Sequence, residues 1–181
     1  MENRKAVLSR FADGSPCSNP LFALLCSHSL TKEGWLIEMV KQGYDNTKTV
    51  QTLMAIDFKP SNGVVTVAML LGEPFMNIYR FDDYVHHAER MGFTIAKTPE
   101  IALLLRENLS DEELYSYGLS YVTVPFISPQ NEETDQVSSI CMVRSSGKDK
   151  GFLSIETIDK QAKYSSQSAF VFVKEVTTSV V

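Results

Sequence analysis

The sequence is poor in the residues that form covalent or metal cross-links. Its 181 residues include three cysteines (Cys17, Cys26 and Cys141), three histidines and one tryptophan. An odd number of widely spaced cysteines argues against a disulfide framework and is typical of reduced thiols in the cytoplasm. The chain also lacks the C-x2-C pairs found in most structural zinc sites, so we predict no metal.

Long apolar runs are absent as well. No stretch of eighteen consecutive apolar residues occurs, and the first twenty residues contain no apolar core of a secretory signal. We therefore expect a cytoplasmic protein with no membrane partner.

Positive charge is scarce. The formal net charge is −5, and residues 61–140 carry twelve acidic side chains against four basic ones. Proteins that bind nucleic acids concentrate positive charge on one face, so no nucleic-acid partner is expected. An acidic surface favours a basic protein partner, or it serves solubility alone.

Catalytic and cofactor motifs are missing too. The chain contains no phosphate-binding G-x-x-x-x-G-K-[ST] or G-x-G-x-x-G motif and no G-x-S-x-G or H-E-x-x-H motif. Cys141 lies in a strand-like segment with no histidine near it in sequence to act as a base. We predict no catalytic residues and no cofactor, and no residue pattern resembles that of a known family.

What the chain does have is the composition of a globular domain, with 44% hydrophobic and 22% charged residues. We predict one domain over residues 1–181, in which residues 1–20 form an irregular segment because "DGSPCSNP" is rich in turn-forming residues. Thr31 is a candidate N-cap for a helix of about three turns that ends at Gly43.

The period of the apolar residues then changes to two. Alternation in "TVQTLMAIDF" (49–58) and "VVTVAMLL" (64–71), with "KPSNG" between them, predicts a β-hairpin. Three helical segments follow. The first covers residues 81–91, the second opens at Thr98 and Pro99, and the third begins at a Ser110–Glu113 capping box and ends near Gly118. Between the first two, "GFTIAK" predicts a brief strand.

The last third of the chain predicts four strands in an antiparallel meander, within residues 119–128, 137–145, 151–158 and 168–176. Pro125 is expected at an edge or strand end because proline cannot donate a ladder hydrogen bond. Phe172 lies in "AFVFV", which is apolar on both faces and is expected at the centre of the sheet. The predicted fold class is α+β, a mainly antiparallel sheet (N-terminal hairpin plus C-terminal meander) packed with about four helices.

Two adjacent histidines draw attention to "DDYVHHAERMG" (82–92). Neighbouring residues on a helix diverge by about 100°, so His86 and His87 cannot easily chelate one ion together. A metal or acid–base site is therefore the weaker hypothesis. The stronger one is a polar helix face that is solvated or contacts a partner, and it consists of Asp82, Asp83, His86, Glu89 and Arg90.

These observations favour a non-enzymatic intracellular protein-binding or regulatory protein that acts through an acidic surface. Two alternatives stay open. One is a small-ligand-binding protein or enzyme whose pocket lies between sheet and helices and uses dispersed residues. The other is an accessory protein of a virus or mobile element. The expected partner is a protein, a basic one in the favoured case, and self-association is left open.

Overall fold

The computed structural model describes residues 5–7, 21–26, 33–34, 36–37, 51, 54, 63–71, 80–97, 99–127, 136–143 and 152–175. They form seven strands and three helices with defined bounds. In chain order these are β1 (Lys5–Val7), β2 (Leu21–Cys26), β3 (Gly63–Leu71), α1 (Phe81–Arg90), α2 (Glu100–Asn108), α3 (Asp111–Ser116), β4 (Tyr121–Phe126), β5 (Ser138–Val143), β6 (Phe152–Thr157) and β7 (Ser168–Glu175).

The strands form one mixed sheet in the order β1-β2-β3-β7-β4-β5-β6. All neighbours pair antiparallel except β4 and β7, which run parallel. The predicted fold class, a mainly antiparallel sheet made of an N-terminal hairpin and a C-terminal meander with about four helices, is therefore wrong. The chain is α+β, but its last strand enters between β3 and β4 instead of extending the meander beyond β6.

The predicted N-terminal hairpin is wrong for a similar reason. Gln51 and Met54, the described residues of its first strand, are helical, and β3 pairs instead with β2 and β7. Alternating apolar residues indicate which face a strand buries, but they do not identify its neighbour.

Other N-terminal predictions are only partly covered. The described residues of the predicted helix at 31–43 are helical, and among them Leu36 is buried. The predicted irregular segment at 1–20 lies outside the described residues except for β1, and so does Cys17.

The centre of the sheet is buried on both faces because β3 and β7 are apolar at consecutive positions. Val67, Met69 and Val171 join the cluster formed with α2 and α3 on one face. Phe170 and Phe172 join the cluster formed with α1 on the other. The prediction that Phe172 is central is confirmed, since β7 is the fourth strand of seven and this ring is fully buried.

The parallel pair opens partway along its length. Its register covers only residues 121–123 of β4 and 168–170 of β7. Beyond that point the chain following α1 enters the gap, where Thr94 forms a bridge with Val173 and Ala96 forms one with Phe126. The predicted brief strand at 92–97 is thus reduced to two isolated bridges that join the separated strands.

Pro125 lies at this opening, one residue before β4 ends at Phe126, so the strand-end alternative of the prediction fits. The sheet-edge alternative is wrong, because β4 is an interior strand. Tyr121 lies four residues before Pro125 and Ile127 two residues after it. Their N–H groups point to the β7 side and donate to the carbonyl oxygens of Gln167 and Ala96. Because N–H groups alternate in direction along a strand, the proline nitrogen faces the same side. No ladder bond to β7 is lost, because the β4–β7 register has already ended at Thr123.

Local signals located the three helices well. The α3 capping box is confirmed, with the Glu113 N–H donating to Ser110 Oγ at 3.2 Å and the Ser110 N–H donating to Glu113 Oε2 at 3.0 Å. Pro99 is predicted as the first helical residue of α2, but it stands at the N-cap, so the helix begins one residue later, at Glu100. No helix among the described residues is long and apolar enough to cross a membrane.

The position of Phe172 makes a testable prediction about stability. Phe172→Ala removes a buried ring whose centroid lies 6.4 Å from that of Phe81, and we expect a loss of about 3 to 5 kcal/mol in the free energy of unfolding. Exposed Lys174 on the same strand is the control, and Lys174→Ala should change stability by less than about 0.5 kcal/mol. Urea unfolding measures both. A loss below about 1 kcal/mol for Phe172→Ala would contradict the central placement.

Candidate interaction face on helix α1

The rotation of α1 about its axis is set by an aromatic contact with the central strand. Phe81, Tyr84 and Ala88 are buried against the sheet. The ring centroids of Phe81 and Tyr84 lie 5.2 Å and 4.8 Å from that of Phe170, within the range of favourable aromatic pairs. These contacts hold one side of the helix to β7 and leave the other side to solvent.

The solvent side is the polar face that the sequence predicts. All five of its residues are exposed, namely Asp82, Asp83, His86, Glu89 and Arg90. At about 100° per residue they fall within roughly one third of the helix circumference. The structure therefore brings the predicted candidate residues together on one surface, although nothing in it tests whether that surface binds a partner.

Two members of the face are held by backbone contacts. Asp83 Oδ2 accepts a hydrogen bond from the Arg80 N–H at 2.9 Å, which ties the start of the helix to the preceding residue. His86 Nδ1 lies 2.7 Å from the carbonyl oxygen of Asp82. Because a carbonyl can only accept, Nδ1 carries the hydrogen, and Nε2 is the ring nitrogen left to contact other groups.

The metal hypothesis gains no support from this geometry. His87 is only half exposed, whereas His86 is exposed, so the two rings do not share one surface. Among the described residues, no group of three or more histidine, cysteine, aspartate or glutamate side chains could hold a metal ion. Absence of a structural metal stays a prediction for the whole chain.

Cys141 is the described thiol with the best-defined environment. Burial raises its pKa to about 11, a hydrogen bond from Thr123 opposes this rise, and the negative charge of Glu156 adds to it. The Thr123 hydroxyl lies 3.8 Å from the sulfur across the β4–β5 pair. A thiol with this pKa is almost wholly protonated at neutral pH, which makes it a poor nucleophile.

Burial also raises the pKa of two tyrosines. The negative charge of Glu113 raises the pKa of Tyr117 further, and the negative charges of Asp159 and, to a smaller extent, Glu156 raise that of Tyr164. The Tyr164 hydroxyl donates to the Asp159 carbonyl oxygen at 3.1 Å, and its ring meets Phe170 edge-on at 4.8 Å. Both phenols are therefore protonated at neutral pH, as a tyrosine with the ordinary pKa also is.

Sequence reasoning missed one buried acidic side chain. Glu100 is fully buried in the first turn of α2, where the helix dipole favours negative charge. A glutamate after a helix-opening proline is usually exposed, so its local sequence carried no sign of burial.

Comparison with protein-family models, with curated proteins and with solved structures found no match to this chain.

The contacts at the start of α1 predict that its two aspartates differ in role. Asp83→Ala removes the bond to the Arg80 N–H and should lower the free energy of unfolding by about 1 kcal/mol. Asp82→Ala is the matched control, and we expect less than about half of that loss because alanine's helix propensity offsets the weaker dipole term. Urea unfolding distinguishes the two variants. Equal losses would contradict a separate capping role for Asp83.

The Cys141 thiol predicts a fall in stability at high pH. Its pKa is about 11 in the folded protein against an ordinary value of 9.0. Between these values the unfolded chain loses the thiol proton while the folded chain keeps it, so the stabilising contribution is complete below pH 9 and declines as pH rises toward 11. The stability of Cys141→Ala should fall less steeply over this interval in urea unfolding under reducing conditions. Parallel pH profiles would contradict the raised pKa.

Proposed function

We propose that this protein is a non-enzymatic protein-binding or regulatory protein of the cytoplasm that recognises a basic protein partner through the polar face of α1. The observation that carries the proposal is the exposure of Asp82 and Glu89 on a helix whose rotation is set by buried contacts with β7. A surface on a rigid element loses little conformational freedom on binding, which favours recognition.

The spacing of the two carboxylates limits what the partner can look like. Asp82 and Glu89 are seven residues apart, which is about 10 Å along a helix axis at 1.5 Å per residue. Two lysines or arginines at a matching distance would meet both, as on a partner helix with basic residues seven positions apart. Asp83 contributes less to recognition in this proposal because its carboxylate already accepts the Arg80 N–H.

In this proposal His86 and Arg90 make the α1 face specific for one partner and one orientation. Both are exposed beside the acidic residues, so the surface alternates in charge and is not uniformly negative. An acidic group on the partner could pair with the Arg90 guanidinium, and this would select one orientation of the complex. Complementary charges of this kind act mainly on the association rate and on the choice of partner.

Two variants that change the net charge of the protein by the same amount, one on α1 and one elsewhere, test the proposal. Asp82→Asn combined with Glu89→Gln removes two negative charges from α1 with little change in shape. Glu112→Lys changes net charge by the same amount at an exposed site on α3. Each protein is used to capture binding proteins from a lysate of the source cells. We expect the wild-type protein and Glu112→Lys to capture the partner, and the α1 double variant to fail to capture it.

Association kinetics with the purified partner then provide the quantitative test. At low salt the α1 double variant should associate at least about threefold more slowly than wild type, and added salt should narrow the difference because it screens exposed charges. Glu112→Lys should associate at nearly the wild-type rate. If both variants slow association equally, net charge and not the α1 face governs binding, and the proposal fails.

A further inference from the structure

The two edges of the sheet are built differently. β1 is three residues long and contains Lys5, and short length and lysine are both features that discourage pairing with another strand. β6 has six residues, contains no lysine or proline, and keeps an unbroken register with β5 over all six positions. In the described part of the chain β5 is the only strand that pairs with β6. In the part of the chain that the structure describes, its outer edge is therefore regular and unpaired, and Glu156 is the one charged residue on it.

The side chains of β6 add self-complementary chemistry to this edge. Ile155 is partly buried and packs against the cluster that includes α2 and α3. Ser154 and Glu156 face the other side of the sheet, and the Ser154 hydroxyl donates to Glu156 Oε1 at 2.8 Å. A hydroxyl donor and a carboxylate acceptor thus stand two positions apart, on either side of an apolar residue.

We propose that β6 pairs antiparallel with β6 of a second copy of this chain, with Ile155 on the two-fold axis. In this register Ser154 lies opposite Glu156 of the partner subunit, and by symmetry the same pair forms again. Directly opposite residues in an antiparallel pair have Cβ atoms about 4.5 to 5.5 Å apart, close enough for the hydroxyl to donate to the carboxylate. The exposed part of Ile155 is covered by Ile155 of the partner subunit.

Neighbouring registers are less favourable. A shift of two residues in one direction sets Glu156 opposite Glu156 of the partner subunit, and like charges directly opposite are destabilising. A shift in the other direction sets Glu156 opposite Phe152 of the partner subunit and leaves the carboxylate without a donor there. Registers offset by one residue would bring the Ser154 face of one sheet to the Ile155 face of the other.

We propose a second copy of this chain as the partner of β6 because the edge of this strand is complementary to itself. An isologous contact needs one surface to supply both partners of each interaction, and the Ser154–Glu156 arrangement does so about a central residue. The two sheets would then continue into one another, which satisfies the outward N–H and C=O groups of β6. This inference rests on β6 alone and is independent of the function proposed for α1.

Charge substitutions at β6 test both the pairing and its register. Sedimentation velocity over a range of concentrations should show that the wild-type protein forms a dimer. Ser154→Glu sets like charges opposite each other twice and should raise the dimer dissociation constant by about tenfold. Adding Glu156→Lys to that variant sets opposite charges across the axis and should restore dimerisation. Lys5→Glu at the other edge is the control and should leave the dimer unchanged.

Each outcome decides the proposal. Thermal unfolding of all variants at a concentration where they are monomeric verifies that the fold is retained. A wild-type protein that stays monomeric up to about millimolar concentration overturns the proposal, as does a dimer that Ser154→Glu leaves unaffected. Loss of the dimer in Ser154→Glu without recovery in the double variant overturns the register.

Discussion

The burial of β7 on both faces is the constraint on which the rest of the structure depends. Its residues 169–173 are all buried. Alternate side chains belong to the two hydrophobic clusters on opposite faces of the sheet. A strand of this kind is stable only with neighbours on both sides and helices above and below it. Its place between β3 and β4 joins the N-terminal strands to the C-terminal ones in one sheet.

The exposed polar face of α1 follows from this central strand. Phe170 contacts both Phe81 and Tyr84, and these rings decide which side of the helix meets solvent. The chain after α1 then fills the opening between β4 and β7 with bridges at Thr94 and Ala96. The sheet core therefore determines the position and rotation of α1, the helix for which we propose partner recognition.

Among the described residues, the ionisable groups that are buried and those that are exposed differ in their charge at neutral pH. The buried thiol and the two partly buried phenols have pKa values raised by desolvation, so they remain neutral near pH 7. Exposed charged side chains include Asp82, Glu89 and Arg90 on α1 and Glu156 on the edge strand β6. The interactions that we propose with other molecules use such exposed groups, through electrostatic complementarity at α1 and backbone pairing at β6.

The sequence by itself determined the features that depend on local backbone geometry. The apolar period located α1 and its exposed residues, the Ser110–Glu113 box located α3, and alternation located the strands of the last third, because each signal comes from residues a few positions apart. Tertiary structure alone decided the strand order, the parallel β4–β7 pair and the burial of Glu100. Pairing between distant strands depends on how whole segments pack, and alternation within one strand does not specify its neighbour.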